Sequence, residues 1–431
     1  MMVKLCLKVA RISRYILIVM VAIFAASCST TKMLQDGEYR LAMNKVKVTN
    51  DKHFNAKTLE PYIRQSAGPS FIKGWHPFLS VYNWQNGKGK GWDKFVQKIG
   101  VAPVIYDSET IDDSESSIIN HLQYIGYFNS EVEASVAVRK RNVFVTYNVE
   151  LGKQYPIKSL SWTVPEGEFK ESFDADTNNI SIKVGEPLSE AALEAETVRS
   201  SQYFRNNGFF GFNKTFYTFE ADTLKDSGAA HLEMKVLEYP RNAAPEDAKE
   251  LKKYTIGSVN FNHPVSMKIR PKVLSDLNLL RPGEVYSETM VNNTYQRLSS
   301  IKVFNSVNIS LQEASDDKVD CDITLTQSKL QGFEVNLEAS TNSSGLFGIS
   351  PQLSYYHKNI FHGGEWLNLS FMGNFQFKIK DKIHSNEFGV SAGLSLPKFL
   401  FLPYRLFKGT IPRTDFNVSY NYQNRPEYTR N

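Results

Sequence analysis

The chain has 431 residues, of which 42% are hydrophobic and 13% aromatic, and its formal net charge is +5 at pH 7. A chain of this length suggests about three domains, and this composition excludes an intrinsically disordered protein. The positive charge comes from the first 27 residues, which hold four basic and no acidic side chains and leave 46 basic against 45 acidic residues in the remainder. This balance does not indicate nucleic-acid binding, so we expect no nucleic-acid partner.

The N-terminus has the pattern of an export signal. Basic residues precede the apolar segment Tyr15–Ala26, and small residues follow it up to Cys28. The apolar segment is too short to cross a bilayer as a helix, which needs about 20 residues. A cysteine after small residues is typical of a bacterial lipobox, although Ala25 stands where leucine is commonest. We predict a signal peptide over residues 1–27, acylation of Cys28 and a lipidated tether over residues 28–38; the alternative is a lone cysteine beside an ordinary cleavage site.

The cysteines predict neither a disulfide nor a metal site. Cys6 lies in the signal peptide, and Cys28 is the predicted acylation site. Cys321 lies on the apolar side of an alternating segment, which predicts a buried packing residue.

One sequence pattern recurs along the middle of the chain: helical spacing, then an aromatic pair, then strand-like alternation. Its copies are Ile118–Phe128, Val198–Phe210 and, more weakly, Tyr295–Phe304. The first two copies have Gly126 and Gly208 after the helix, where glycine can adopt the left-handed conformation that ends a helix. The third has Lys302 at that position. We expect the aromatic residues to pack the helix against a sheet.

Each copy lies in the same frame of predicted strands, one before it and two after it. The preceding strands are Lys45–Thr49, Ile157–Val164 and Tyr254–Asn262. The following pairs are Glu131–Val138 with Val143–Val149, Asn213–Phe219 with His231–Leu237, and Ser306–Leu311 with Val319–Leu325. This order predicts three β-α-α-β-β domains, over residues 39–152, 153–239 and 254–329, with a charged, proline-containing linker at 240–253.

The first domain contains an insertion, residues 70–100, that is rich in aromatic and lysine side chains. They include Trp75, Phe78, Tyr82, Trp84, Trp92 and Phe95, and Lys73, Lys88, Lys90, Lys94 and Lys98, against the single acid Asp93. Tryptophan and lysine suit a membrane surface or a partner-facing element. An insertion that folds onto its own domain explains the composition equally well, so both interpretations stay open.

Residues 330–431 change to strict alternation with a period of two. Apolar residues such as Phe333, Val335, Leu337 and Ala339 alternate with polar or very small ones in segments of about ten residues. A half-buried soluble sheet and a lipid-facing barrel can both produce this pattern, but strands of this length with polar, glycine-rich inner positions favour the barrel. About five strands are predicted, which cannot close a barrel alone, so we expect the sequence to be C-terminally truncated relative to its parent.

Two apparent chemical motifs lack the surroundings that their chemistry requires. Gly389–Gly393 has the spacing of a hydrolase nucleophile elbow, but Ser391 lies inside a predicted strand and no histidine follows it. Asp174–Asn178 opens like a calcium loop, but Asn179 and Gly185 replace the required glycine and glutamate, so we predict a polar loop. We expect no enzyme activity, no cofactor and no metal.

Several segments together resemble one family. Besides the glycine-aromatic repeats they are Cys28–Lys32, Asp36–Leu41 and Leu353–Glu365, and the most specific is the strand-turn motif with Asn359, Phe361, Gly363, Gly364 and Glu365. Residues 28–431 resemble the BamA/TamA outer-membrane assembly superfamily, and within it the lipidated TamA-like (TamL) branch of Bacteroidetes. The resemblance implies an α+β fold, with three tandem POTRA-like domains before an antiparallel transmembrane β-barrel of about sixteen strands.

The resemblance also implies a location and a function. Members lie in the bacterial outer membrane with their POTRA domains in the periplasm, and here a lipid anchor is expected as well. An extended client can add a strand to an unpaired POTRA edge, and the first barrel strand, Gly332–Ser340, can template a nascent membrane strand at the barrel seam. The expected partners are unfolded outer-membrane client proteins, a TamB-like periplasmic protein and outer-membrane lipid.

Two other functions fit parts of the pattern. A two-partner secretion pore also has POTRA units before a barrel, but such pores usually lack a lipid anchor and begin with a plug helix. A surface lipoprotein that binds glycans or nutrients would have a soluble sheet after residue 330.

Overall fold

The computed structural model describes residues 31, 33–68, 77–85, 89, 91–224, 228–243, 250–315, 317–341, 347–377, 384–402, 406–407, 410–425 and 428–430. The predicted signal peptide and Cys28 lie outside the described residues, as do parts of the tether, the insertion and the linker. Within the described ranges, no helix is long and apolar enough to cross a membrane.

The chain divides into two compact units. They comprise residues 1–161 with 181–195 and 219–233, and residues 162–180 with 196–218 and 234–431. The second repeat contributes segments to both units.

The first repeat folds as predicted, with the insertion adding two helices. Its elements are β1 (Arg40–Val48), a 3-10 helix (Ala56–Tyr62), α1 (Pro77–Tyr82), α2 (Gly91–Ile99), α3 (Glu109–Tyr124), β2 (Glu131–Arg139) and β3 (Asn142–Glu150). The sheet order is β1-β3-β2, with β1 parallel and β2 antiparallel to the central β3. Ile118 and Leu122, one turn apart on α3, are fully buried in a core with the inward face of β3.

The second repeat has the same order of elements. They are β4 (Ile157–Thr163), α4 (Glu168–Asp176), a 3-10 helix (Thr177–Asn179), α5 (Glu190–Asn206), a 3-10 helix (Lys214–Phe216), β5 (Tyr217–Asp222) and β6 (Ala230–Val236), with sheet order β4-β6-β5. The predicted strand Asn213–Phe219 is wrong in its first half, because the Asn213 side chain accepts a hydrogen bond from the Thr215 N–H and starts a helical turn. The predicted loop at Asp174 is also wrong, since Asp174 lies in α4.

The aromatic pair after α5 has two different roles. Gly208 has φ +104° and ends the helix region in the left-handed conformation, as predicted. Phe209 is buried against the rings of Phe169 and Phe204. Phe210 instead packs edge-on against Tyr254 and a second tyrosine of the third repeat. The repeat motif therefore builds a domain core with one ring and a contact between successive repeats with the other.

The third repeat comprises β7 (Thr255–Asn262), α6 (Pro271–Leu277), α7 (Glu288–Ser299), β8 (Phe304–Ser315) and β9 (Lys318–Gln327), with sheet order β7-β9-β8. Cys321 on β9 is fully buried and unpaired by disulfide, as predicted, and burial raises the pKa of its thiol to about 11. Each of the three repeats is thus a β-α-α-β-β unit with its last strand at the centre of the sheet.

The C-terminal region is an antiparallel sheet in which each strand pairs with the next. Its strands are β10 (Gln331–Thr341), β11 (Phe347–His357), β12 (Trp366–Phe377), β13 (His384–Leu396), β14 (Thr414–Arg425) and the short β15 (Tyr428–Arg430). The five long strands confirm the alternating segments of the sequence. The fold is therefore α+β, with three POTRA-like repeats followed by a sheet consistent with part of a barrel.

Candidate functional site

The first strand of the C-terminal sheet, β10, is an edge strand. It pairs with β11 over its whole length, and in the described part of the chain no strand lies on its other side. The predicted templating residues Phe333, Val335 and Leu337 are 74–75% exposed, and Ala339 is exposed as well. An edge of this kind presents unpaired backbone N–H and C=O groups together with apolar side chains on one face.

The apolar face of this edge continues across the sheet. The strand register places Val335, Leu353, Phe371, Val390 and Tyr420 side by side in one row across five strands. These five side chains are 48–75% exposed, so none is covered by a helix or a second sheet within the described residues. Cross-strand pairs of this type stabilise the sheet itself, but they leave a large apolar surface facing outward.

The opposite face of the sheet is polar. The next row in the register consists of Glu334, Ser354, Ser370, Ser391 and Ser419. Ser354 donates a hydrogen bond to Ser370 with 3.0 Å between the hydroxyl oxygens. Ser391 lies in the middle of β13, so it lacks the strand-turn-helix surroundings of a hydrolase nucleophile, as expected.

The strand-turn motif between β11 and β12 forms a network around the buried carboxylate of Glu365. Glu365 Oε2 accepts hydrogen bonds from the backbone N–H groups of Phe361, at 3.2 Å, and Gly363, at 2.8 Å. A Cβ at Gly363 would collide with this carboxylate and with the guanidinium of Arg270. The Phe361 side chain is exposed, so its backbone is the part that the network uses.

Asn359 closes the other side of the turn. Its Oδ1 accepts the N–H of Gly364 at 2.9 Å, and its Nδ2 donates to the backbone carbonyl of Lys268 at 2.6 Å. His362 and Gly364 both have positive φ, at +62° and +81°. A Cβ at Gly364 would also lie only 2.7 Å from the Ile301 side chain, so both conformation and space require glycine.

The turn is attached to the third repeat through residues just before α6. Arg270 Nη2 lies 2.8 Å from Glu365 Oε1, and the Arg270 backbone N–H donates to the His362 carbonyl at 2.9 Å. The side chain of Glu365 is 6% exposed and that of Arg270 is 53% exposed. The arginine therefore compensates a carboxylate that is almost removed from water.

Lys302 forms a second attachment between the third repeat and the sheet. Its ammonium group lies over the Trp366 ring, and its carbonyl accepts a hydrogen bond from the Ser328 hydroxyl at 2.7 Å. Burial, followed by the nearby charges of Arg413 and Lys358, lowers the pKa of Lys302. Lys302 thus contacts the sheet from the position at which the first two repeats have glycine.

The predicted templating strand β10 and the predicted strand-turn motif are neighbours, because the motif begins where the β10–β11 ladder ends. The ladder between β10 and β11 ends at the Gln331–His357 pair and is extended by a bond from the Lys358 N–H to the Leu330 carbonyl, directly before Asn359. The sequence analysis did not identify Arg270 and the Lys268 carbonyl, which lie in the third repeat and not in the C-terminal sheet. No local pattern identifies them.

The POTRA-like repeats supply further strand edges. In the first repeat, β2 is an edge strand on which Val136 and Val138 are 42% and 55% exposed. By the same sheet order, β5 and β8 lie at edges in the second and third repeats. Each repeat therefore offers an edge to which an extended segment can add.

Comparisons with known proteins find one matching family model and several similar solved structures. The POTRA family model, described as a surface antigen variable number repeat, matches residues 42–152 and 254–327. A search of curated proteins finds no match. Among solved structures, POTRA domains 3–5 of Haemophilus influenzae BamA match at 13% identity, covering 68% of this chain and 100% of that chain, with a TM-score of 0.37.

Two longer solved structures are matched over about half of their length. BamA from Haemophilus ducreyi lacking POTRA domains 1–3 matches at 11% identity, with 64% of this chain and 52% of that chain covered and a TM-score of 0.37. CdiB from Acinetobacter baumannii matches at 11% identity, with 64% and 56% covered and a TM-score of 0.31. The first and third repeats of this chain match the POTRA family model, and all three repeats share the β-α-α-β-β order of elements.

Proposed function

We propose that this protein is an outer-membrane assembly or translocation factor of the BamA/TamA superfamily, of the lipidated TamA-like type. The observation that carries the proposal is the exposed apolar row from Val335 to Tyr420 in a sheet that follows POTRA domains. Such a surface is unfavourable in water and favourable against hydrocarbon. A soluble glycan-binding sheet would cover its apolar face with protein, so the exposed row supports the membrane alternative.

The POTRA repeats act in this proposal as receivers of unfolded clients. A client segment in extended conformation adds to an edge such as β2 or β8 through main-chain hydrogen bonds, which do not depend on its sequence. The exposed Val136 and Val138 offer apolar contacts to alternate side chains of the added strand. Recognition by backbone suits a protein that handles many different outer-membrane strands.

Strand β10 acts as the template that the client meets next. A nascent membrane strand has the same two-residue alternation as β10, so pairing in register aligns its apolar side chains with Phe333, Val335 and Leu337. The strand-turn motif between β11 and β12 bonds to the third repeat through Glu365 and Asn359, directly after the end of the β10–β11 ladder. Delivery therefore ends at an edge whose position is set by the receiving domain.

No step of this mechanism uses a catalytic side chain, nucleotide or metal, because strand exchange in the membrane replaces one set of hydrogen bonds by another. A TamB-like periplasmic protein and outer-membrane lipid are the proposed partners besides the clients. Acylation of Cys28 would tether the mature N-terminus to the membrane.

Site-specific photocrosslinking in cells tests the template. A photoreactive residue at Val335 is expected to crosslink newly made outer-membrane proteins, whereas the same residue at Val390 is expected to crosslink none. The two valines are a matched pair, because both belong to the same exposed row and only Val335 lies on the edge strand. Equal client crosslinking at the two positions would contradict the template role.

Fractionation tests the membrane location independently of clients. The Cys28→Ala variant should remain in the membrane fraction after an alkaline carbonate wash, because the proposed transmembrane barrel holds it there without the lipid anchor. Release of this variant into the soluble fraction would favour the soluble lipoprotein instead.

A further inference from the structure

The insertion in the first POTRA domain contains a folded helical hairpin, α1 followed by α2. Leu79 of α1 and Val96 of α2 are buried. The two helices approach so closely that a Cβ at Gly100 would lie 2.6 Å from the backbone nitrogen of Tyr82. Gln97 also donates a hydrogen bond to the Gln85 side chain at 2.8 Å. The two helices of the insertion therefore pack against each other, and both interpretations left open by the sequence stay predictions.

A second apolar face of α2 does not take part in this packing. Trp92, Phe95 and Ile99 follow the spacing i, i+3, i+7, which places them in one stripe along the helix. They are 46–56% exposed, while the inward face of the same helix carries Asp93 and Val96, which are nearly inaccessible. The nine-residue helix α2 therefore has one buried face and, separate from it, one exposed apolar stripe.

The stripe continues onto neighbouring residues of the hairpin. Trp84 and Phe78 are each about half exposed, at 48% and 49%. The indole N–H of Trp92 donates to the Trp84 carbonyl at 3.4 Å, which holds its ring beside the end of α1. Exposed tryptophan and phenylalanine at this density on one short hairpin are unusual for a surface that contacts only water.

The charges beside the stripe all have one sign. Lys94 and Lys98 are exposed and one turn apart on the flank of α2. The only acid of the insertion, Asp93, is turned inward, where it accepts the N–H of Gly89 at 2.8 Å. The described surface of the hairpin therefore offers apolar and cationic groups without an exposed carboxylate.

We propose that this hairpin lies in the interface of a bilayer that contains anionic phospholipid. In this arrangement Trp92, Phe95 and Ile99 enter the boundary between headgroups and acyl chains, and Lys94 and Lys98 contact the phosphates. Charge complementarity favours an anionic lipid surface over a protein partner, because Lys94 and Lys98 lie together along one side of the apolar stripe and no exposed carboxylate accompanies them in the described part of the hairpin. The hairpin gives the first POTRA domain a membrane contact that is separate from client handling.

Quenching of tryptophan fluorescence by lipids with brominated acyl chains tests the proposal. The full chain carrying Cys28→Ala is made in two single-tryptophan forms, one retaining Trp92 and one retaining Trp162, with phenylalanine at the other four tryptophans. Trp162 is a matched control because it is exposed to a similar extent, 42% against 53%, and lies on a strand of the second repeat. In vesicles containing phosphatidylglycerol, we expect Trp92 to be quenched at least about twofold more than Trp162.

A charge-reversed variant separates the membrane contact from general association with vesicles. Lys94→Glu with Lys98→Glu should lower the quenching of Trp92 to the level of Trp162, and neutral phosphatidylcholine vesicles should give the same low level. Equal quenching of the two tryptophans in anionic vesicles would overturn the proposal and leave a protein partner for the stripe. Equal quenching of Trp92 in anionic and neutral vesicles would overturn the assignment of an anionic surface. Neither result depends on a client, so the outcome is distinguishable from failure of the assembly function.

Discussion

The turn Asn359–Glu365 and the third-repeat residues Lys268 and Arg270 form a junction between the third repeat and the C-terminal sheet. The burial of its Arg270–Glu365 contact allows the strength of this junction to be predicted. The N–O distance is 2.8 Å, and the carboxylate side chain is only 6% exposed. A charge-assisted hydrogen bond to a group so far removed from water contributes about 2 kcal/mol. The half-exposed arginine lowers this figure below the 3–5 kcal/mol roughly expected when a fully buried pair is broken. We therefore expect a coupling energy of about 2 kcal/mol in a double-mutant cycle of Arg270→Gln and Glu365→Gln.

The chain contains a matched control for this cycle. Arg413 and Asp415 are also 2.8 Å apart, but their side chains are 51% and 44% exposed. An exposed pair at the same distance should show a coupling energy of about 0.5 kcal/mol or less. Distance is thus held constant between the two pairs while burial changes.

The coupling energies are measured by urea unfolding in a variant whose single tryptophan is Trp366, with its fluorescence as the signal. This signal is local to the junction, because Trp366 directly follows Glu365 and lies beneath Lys302. Adding salt should lower the coupling of the Arg413 pair more than that of the Arg270 pair, since buried charges are screened less. Coupling energies that agree within about 0.3 kcal/mol would refute the argument that burial determines the strength of this junction.

Three further predictions concern packing and titration. Gly364→Ala should destabilise the junction by about 2 kcal/mol, because the alanine would have a positive φ and a Cβ 2.7 Å from Ile301. Gly185→Ala, with a similar φ and open space around the Cβ, should cost about 1 kcal/mol. The shift in the urea midpoint measures both effects. Phe209→Ala, which removes a buried ring from the aromatic cluster of the second repeat, should cost about 3–5 kcal/mol in calorimetric or urea unfolding. Because burial raises the pKa of Cys321 to about 11, the folded protein holds this proton more tightly than the unfolded chain, so stability should decline as the pH rises from about 9 to 11. Cys321→Ala should make that decline smaller; the remainder comes from buried tyrosines such as Tyr286, whose pKa burial raises to about 12.

The repeats and strands could be predicted from sequence because their causes are local. Alternation with a period of two at Glu131–Val138 or at Phe388–Leu396 reflects the two faces of a strand, and glycine at Gly126 and Gly208 reflects a positive φ that one residue determines. The exposed face of the C-terminal sheet follows from the same alternation. Strand alternation and helix-ending glycines can therefore be recognised without knowing which other parts of the chain they contact.

The errors also have local causes. Asn213 lies at the start of an apparently alternating run, but its side-chain oxygen binds the Thr215 N–H and forms a helical turn. Asp174 belongs to a polar run that suggested a loop, but Phe169 and Phe173, one turn apart, bury one face of it as a helix. In both cases, a single side-chain contact or a two-residue stripe outweighed the overall composition.

The junction could be found only in part, because its contacts join distant parts of the chain. The turn from Asn359 to Glu365 was recognisable as a motif, whereas Arg270, 95 residues earlier in the sequence, carries no pattern that points to it. Lys302 stood out only as a departure from the glycine of the other repeats. The structure shows that this departure accompanies a contact with Trp366.

A physical reason links the polar turn to the apolar sheet that it supports. The apolar row of the sheet has no specific partner among the described residues, and hydrophobic contact with lipid is non-directional, so it cannot determine where the sheet sits on the third repeat. Hydrogen bonds around Glu365 and Asn359 are directional and fail when the geometry shifts by an ångström or two. A buried carboxylate that loses its hydrogen-bond donors raises the free energy of the folded state. The turn therefore keeps the position in which the Glu365 carboxylate meets its donors. The junction can therefore fix the position of β10, which in the proposed membrane arrangement would otherwise be free to slide against hydrocarbon.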